Sequence, residues 1–179
     1  MPKNVNTILD IGAGYGYIEN LISKNKNIKI YGNDISKNAI KNLKRRFNGN
    51  FKLESVYRMK YKPKMFDVIF MLEMLEHIPP SKTFIVLEDV KRFLTKNGSL
   101  IISVPTTEGL EKMKDNSNGH VRMYTKDLIT AELKIGDFEV VSIKTLSAFR
   151  NLYTLKKLIA KVLKSKWEPN DIILVAKKL

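Results

Sequence analysis

The chain has 179 residues, of which 44% are hydrophobic, enough for about one domain built on a sheet covered on both faces. No apolar run is long enough to cross a bilayer and Met1 to Asn6 is short and polar, so the expectation is a cytoplasmic protein with neither span nor signal region. The absence of cysteine excludes disulfides, thiolate metal sites and cysteine nucleophiles, while Lys+Arg 32 against Asp+Glu 18 gives a net charge of +14 that admits nucleic acid, acidic lipid or an acidic protein as partner.

The first elements in chain order are the most informative. Ile8-Leu9 with Ile11 form an apolar run that meets a glycine turn, Gly12-Ala13-Gly14-Tyr15-Gly16, followed by Ile18, Leu21 and Ile22 at helical spacing. That pattern predicts strand, tight turn and helix. A second strand over Ile28 to Gly32 ends at Asp34, which puts a carboxylate beside the glycine turn in a parallel sheet, where it can accept hydrogen bonds from ribose hydroxyls. Such a turn by itself is shared by several cofactor classes. The dinucleotide pattern has glycine at the sixth position, where this chain has Tyr17. Asp10 lies two residues before Gly12, where a carboxylate repels a diphosphate and welcomes an ammonium group. The whole reads Asp-x-Gly-x-Gly-x-Gly. A plain glycine turn in an unrelated α/β protein is the alternative.

At LDIGAGYG the chain resembles the Rossmann-like, class I S-adenosylmethionine-dependent methyltransferases. The resemblance implies an α/β fold with a doubly wound, seven-stranded, mostly parallel sheet, the last strand antiparallel and helices on both faces. It implies S-adenosylmethionine as cofactor, with Asp10, Gly12 and Gly14 around its methionine end, Gly16 as a further cofactor-binding residue and Asp34 at the ribose. An acid at the end of the third strand usually reaches the adenine in these enzymes. The matching position here is Ser55, so Ser55 and Val56, with Glu54 as a further contributor, become the adenine contacts.

After Asp34, Ser36 is a helix N-cap, and Ala39, Ile40, Leu43 and Phe47 recur at helical spacing until Asn48-Gly49. Phe51 to Val56 is the expected third strand. Met59 and Tyr61 follow and either pack on a purine or cover the sheet edge. Phe66 to Met71 is almost wholly apolar, as a central parallel strand is. At its exit, MLEMLEHIPP sets Glu73, Glu76 and His77 at i, i+3 and i+4, so one helical turn presents all three on one face before Pro79-Pro80. Three roles compete for them: His77 as general base oriented by a glutamate, a divalent-cation site that acidifies a phenol, catechol or ribose hydroxyl, or a hydrogen-bonded cap without chemistry. EMLEHIP is similar to the corresponding stretch of the ubiquinone-biosynthesis O-methyltransferases, in the type 11 and type 23 methyltransferase-domain group. It is similar also to the small-RNA 3'-terminal 2'-O-methyltransferases, whose Glu-x-x-Glu-His group holds magnesium. By that similarity Glu73, Glu76 and His77 are candidate catalytic residues and, with His120, candidate ligands for Mg2+ or another divalent cation.

Thr83 to Leu94 reads as a helix with Phe84, Leu87, Val90 and Leu94 on its stripe, Lys96-Asn97-Gly98 as its stop, and Ser99 to Pro105 as the fifth strand. The polar segment from Thr106 to Thr125 is placed to select substrate. Lys126 to Leu133 is a helix, and Phe138 to Ile143 and Asp171 to Ala176 are the closing strands. Between these lies an insertion at about 148–167 within a single 1–179 methyltransferase domain. Its helix, 152–166, sets Leu152, Leu155, Leu158, Ile159, Val162 and Leu163 against Lys156, Lys157, Lys161 and Lys164 with no acid among them. It reads as a cover over the sheet end or as an interfacial helix on anionic lipid, ending at Trp167. Methyltransferases of this type commonly carry helices before the first strand that roof the pocket, whereas here that strand begins about Thr7. The expected activity is methyl transfer to an oxygen of a small-molecule or lipid-like acceptor. The alternatives are an RNA 2'-O-methyltransferase and a non-catalytic cofactor-binding subunit of a methyltransferase complex.

Overall fold

The computed structural model describes residues 5–106, 119–146 and 171–179. The predicted helix 152–166 and most of the 106–125 segment lie outside the described residues. Seven strands form one sheet in the order β3-β2-β1-β4-β5-β7-β6. In chain order they are β1 (Thr7–Ile11), β2 (Lys29–Asp34), β3 (Asn50–Leu53), β4 (Phe66–Leu72), β5 (Leu94–Pro105), β6 (Phe138–Leu146) and β7 (Asp171–Lys178). The helices are α1 (Tyr17–Ile22), α2 (Lys37–Arg46), α3 (Pro80–Phe93) and α4 (Lys126–Ile135). The pairs from β3 through β5 are parallel, and β7 runs antiparallel to both its neighbours. The doubly wound sheet with a reversed seventh strand is the architecture expected from the sequence.

Alternation along the strands builds two apolar layers. Leu9, Ile11, Ile69, Met71, Leu100 and Ile102 share one layer with Leu87, Val90 and Phe93 of α3 and Ile129 and Leu133 of α4. Ile8, Val68 and Phe70 point the other way and pack with Ile22 of α1 and Ile40 and Leu43 of α2. Asp10 shares the parity of Ile8 and so belongs to the α1–α2 face. Strand order reverses between β1, which continues outward to β2, and β4, which continues outward to β5. A parallel sheet opens a crevice at that point, beyond the carboxyl ends of its strands.

Several boundaries differ from the sequence expectation. The third strand stops at Leu53, and Val56–Arg58 form a 3-10 turn capped by Ser55, whose Oγ accepts from Tyr57 N–H at 3.4 Å. The fifth strand starts at Leu94, paired with Phe66 ahead of a register shift, five residues before the predicted start at Ser99. On α3 the buried positions are Thr83, Val86, Leu87, Val90 and Phe93, while Phe84 is exposed. Thr83 takes the inward place because its hydroxyl is satisfied there, donating to Pro79 O at 3.4 Å and accepting from Arg122 at 2.6 Å. Leu21 is likewise exposed, since the buried face of α1 centres on Glu19 and Ile22. Met59 and Tyr61 cover the sheet in the core: Tyr61 packs edge-to-face against Tyr31, Phe66 and Phe93.

Candidate active site

A cleft of about 400 Å³ opens at the switch point. Its walls come from the ends of four strands: Ile11 and Gly12 after β1, Asn33, Asp34 and Ile35 after β2, Glu54 to Tyr57 after β3, and Glu73, Met74, His77 and Ile78 after β4.

The glycine turn shapes one end. Gly12, Gly14 and Gly16 have φ of 78°, 49° and 77°. At Gly12 a Cβ would stand 3.1 Å from Met74 Cγ, in the cleft wall, so glycine keeps that wall open. Gly16 does something else. It caps α1 in the left-handed conformation, and its Cβ would meet Leu43 Cδ2 and Phe47 Cε2 at 2.7 Å, so it lets α1 seat against α2. Gly12 N–H and Ala13 N–H both donate to Asn33 O, at 2.9 and 3.1 Å, pinning the turn to the end of β2.

Asp34 is held by two backbone donors, Gly14 N–H at 2.9 Å and Ser36 N–H at 2.7 Å, so its carboxylate is fixed facing the cleft beside the turn. Farther along, Asn33 Nδ2 donates to Glu54 O at 3.1 Å, leaving Asn33 Oδ1 and Glu54 Oε2 buried without hydrogen-bond partners. These acceptors suit the exocyclic amine of a purine. Ser55 and Val56 line the cleft as expected, but the Ser55 hydroxyl is committed to its cap, and Glu54 offers the open acceptor. Sequence reading passed over Asn33, Ile35, Met74 and Tyr57. Their signal lies only in position, since Asn33 is next to last in β2 and the other three lie within four residues after a strand end.

Asp10 does not line the cleft. It is buried beneath the turn, and burial first, then the Glu19 and Asp34 carboxylates, push its carboxyl well above the usual range. Glu19, unremarked in the sequence, is wholly buried on α1, with both carboxyl oxygens lacking hydrogen-bond partners and its pKa pushed up to about 7 by burial.

At the opposite end the predicted helical turn is absent. Glu73 sits at φ 51°, before the 3-10 turn Leu75–His77, and its side chain is drawn away by Ser103 Oγ, which donates to Oε1 at 2.6 Å. Glu73 also hydrogen-bonds the Asp171 carboxyl, raised to about 7 by burial and by Glu73. The trio expected on one face is therefore split. Glu76 joins His77 and His120 instead, its Oε1 lying 4.0 Å from Nε2 of each ring, with ring centroids 4.9 Å apart. Their ligand atoms all lie within 4.8 Å of one another, and Glu73 is not in the group. His77 Nδ1 must be the donor toward Gly119 O at 3.2 Å, which leaves the lone pair on Nε2, the atom that faces Glu76. Val121 N–H donates to Glu76 O at 2.9 Å and so ties the His120 segment to the exit of β4. Glu76 is wholly buried with both oxygens unpaired, and burial, with Glu73 and Asp171 adding to it, raises its pKa to about 8. Burial first, then His77, lowers that of His120.

The methyltransferase domain family model matches residues 8–98, the span that carries the turn, Asp34 and the β4 exit. No curated protein matches the chain in sequence. Among solved structures, a SAM-dependent methyltransferase from Archaeoglobus fulgidus superposes with a TM-score of 0.78 at 20% identity, covering 98% of this chain and 87% of that one. The 1,6-didemethyltoxoflavin-N1-methyltransferase of Burkholderia thailandensis, solved with 1,6-didemethyltoxoflavin and S-adenosylhomocysteine, has a TM-score of 0.73 at 19% identity over 96% and 70% of the two chains. A Haloferax volcanii protein, solved in complex with the Trm112 methyltransferase activator, has a TM-score of 0.76 at 13% identity over 97% and 82%. At these identities the likeness is one of fold.

Proposed function

The chain belongs to the methyltransferase-domain family of S-adenosylmethionine-dependent enzymes, and on that footing we propose that it transfers a methyl group to an oxygen of a small-molecule or lipid-like acceptor. The observation that carries the oxygen assignment is the trio built on His77, which lines the cleft: Glu76 Oε1 lies 4.0 Å from Nε2 of both His77 and His120. A hydroxyl acceptor must lose its proton as it attacks, and a histidine with its lone pair on Nε2 suits that task.

When bound, the cofactor supplies a methyl carbon activated by positive sulfur. The chain's residues fit such a molecule on structural grounds. Gly12 leaves space where a side chain would stand, Asp34 is pinned to receive ribose hydroxyls, and the unpaired Asn33 Oδ1 and Glu54 Oε2 await a donor. Their contribution is alignment and exclusion of water. His77, half-exposed and lining the cleft, takes the acceptor proton at Nε2, while Gly119 O fixes the ring through Nδ1.

A second reading of the same trio is favoured by the buried, unpaired Glu76 carboxylate. Glu76, His77 and His120 would hold a divalent cation, whose chemistry would be to lower the pKa of a bound hydroxyl. One carboxylate and two imidazoles fit Mn2+ or Zn2+ better than Mg2+, which prefers oxygen ligands.

The test is methyl transfer to phenol, catechol and ribose acceptors, with and without divalent cation, in the native protein and in Glu76→Gln and His77→Gln. Loss of activity in both variants with cofactor binding intact is expected. Native rates in both, or methylation of amines only, would refute the oxygen assignment. An RNA acceptor is distinguished by salt: its binding weakens steeply between low and moderate salt, that of an uncharged acceptor does not. The Haloferax relative was solved with an activator, so the non-catalytic alternative is tested by the same variants in any assembled complex.

A further inference from the structure

His120 reaches Glu76 from a segment that belongs neither to β4 nor to its exit, so the place of that segment must be set from elsewhere. On the cleft side its backbone is tied: Gly119 O accepts from His77 Nδ1 at 3.2 Å, and Val121 N–H donates to Glu76 O at 2.9 Å. On the other side two side chains hold it. The Arg122 guanidinium donates through one amino group to Glu132 Oε1 of α4 at 2.5 Å and through the other to Thr83 Oγ1 of α3 at 2.6 Å. Its Cζ lies over the Tyr124 ring, 4.6 Å from the centroid, and the Tyr124 hydroxyl donates to the second Glu132 oxygen at 2.9 Å. Arg122 and Glu132 are 11% and 12% exposed, and Thr83 and Tyr124 are wholly buried.

An ion pair so placed is a poor means of stabilising a fold. Taking both charges out of water offsets most of their attraction, and apolar side chains of similar volume often serve stability as well. What the pair supplies is direction. A planar guanidinium fork meets two acceptors in only one orientation, and here the acceptors stand on different helices, with Glu132 fixed in turn by Tyr124. Arg122 therefore has a single seat between α3 and α4. His120 is two residues away, at most about 7 Å of extended chain, so a displacement of Arg122 passes to the imidazole with little slack. Beyond Arg122 the chain is fixed independently, by the Thr106–Tyr124 bridge and by Thr125, whose Oγ1 caps α4 by accepting from Leu128 N–H at 3.2 Å.

We infer that Arg122 is a positioning residue for the acceptor side of the cleft: seated between Glu132 and Thr83, it holds the His120 ring edge-to-face with His77 and opposite Glu76. The inference rests on the acceptor-side role given above to the trio. Arg122 makes no described contact with Glu76 or His77 and moves no proton, so its effect passes through the segment it anchors. Gly119 O belongs to that same segment, so loosening it also deprives His77 Nδ1 of the acceptor that fixes its tautomer. Both rings thus depend on a contact made on the far side of α3.

The chain has only two histidines, so both rings can be followed by nuclear magnetic resonance in the full chain carrying labelled histidine, with no acceptor present. In the native protein a cross-relaxation peak between the rings, whose centroids are 4.9 Å apart, and His77 in its Nδ1–H form are expected. The variant is Arg122→Met with Glu132→Gln, which leaves neither charge of the pair behind and keeps an acceptor for the Tyr124 hydroxyl. It is expected to melt within about 5 °C of native and to bind S-adenosylhomocysteine as native does. The inter-ring peak should vanish, His77 should show both tautomers, and kcat toward the phenol, catechol and ribose acceptors should fall by about ten- to a hundredfold with KM for S-adenosylmethionine unchanged. Absence of the peak in native protein, its persistence in the variant, or its loss together with S-adenosylhomocysteine binding would overturn the inference and leave the acceptor-side reading standing. Loss of the peak with native rates would instead overturn that reading, with Arg122 still seating His120. Should the double variant not fold, Arg122→Lys decides: its ammonium keeps the charge pair but cannot span both acceptors, and a peak as strong as native would overturn the inference.

Discussion

The three glycines of the first turn look equivalent in sequence, but the structure divides their labour, and Gly16→Ala tests the division. At φ 77° and ψ 41° Gly16 is left-handed, a conformation that costs an L-residue about 1–2 kcal/mol. The new methyl would also stand 2.7 Å from Leu43 Cδ2 and from Phe47 Cε2. Leu43 is 1% exposed and cannot move aside, so overpacking adds about 1–3 kcal/mol. The combined loss of about 2–5 kcal/mol lowers the melting temperature by roughly 5–15 °C for a chain of this size. Gly12→Ala carries the same backbone strain, but its methyl meets the flexible Met74 side chain at 3.1 Å, so its stability loss is only about 1–2 kcal/mol. It should lose S-adenosylhomocysteine affinity instead, because the methyl enters the cleft. Thermal denaturation of both variants and calorimetry on both make the comparison. Gly16→Ala melting within 2 °C of native, or losing less stability than Gly12→Ala, would refute the assignment of Gly16 to helix packing.

Other outcomes follow from the same geometry. Asp34→Ala removes the carboxylate proposed to receive the ribose and the acceptor that holds Gly14 and Ser36, so S-adenosylhomocysteine binding measured by calorimetry should fall by about a hundredfold. Glu19, raised from 4.5 to about 7, binds a proton in the folded state that the unfolded chain has lost across that interval. Stability of the ligand-free protein should therefore fall as pH rises from about 4.5 to 7, by up to about 1.4 kcal/mol per unit from this group. Urea denaturation of native protein and Glu19→Gln across that range measures it, the variant showing the shallower slope. Phe93→Ala empties a fully buried position between α3 and the sheet and should cost about 3–5 kcal/mol by urea denaturation, with cofactor affinity unchanged in the protein that remains folded.

The glycine-turn half of the candidate site was legible because backbone geometry demands particular residue types there. Glycine at positive φ, an acid at a strand tip and a serine cap leave marks in sequence that few other arrangements share. Apolar patterning likewise disclosed the strands, while the reversed last member came from the resemblance carried by LDIGAGYG. The acceptor side was misread in its geometry. Spacing of Glu73, Glu76 and His77 suits a helix, but Glu73 is taken off that path by its left-handed backbone and by Ser103, a residue thirty positions away on β5. Nothing local announces such a contact. Asp171 was equally hidden, since its approach to Glu73 depends on β7 running backwards. Glu19 was missed for the opposite reason: a glutamate in a first helical turn is ordinary, and only its complete burial makes it informative.

The reversed strand has a consequence for how such a chain can change. Asp171 begins β7 opposite Pro105, where β5 ends, and opposite Leu146, where β6 ends. Thr106 and Tyr124 meet in a bridge at the same rim. Two excursions of the chain, from Thr106 to Tyr124 and from Leu146 to Asp171, thus begin and end at one rim of the sheet. Lengthening either excursion leaves all seven strands in register and, for a flexible loop, costs only about 0.6 kcal/mol for each doubling. On the proposed function, insertions there would change what meets the acceptor while the glycine turn after β1 keeps its geometry. If that reading holds, substrate range and foldability can be varied separately, and a library of insertions confined to those two connections should yield altered acceptors at little loss of stability.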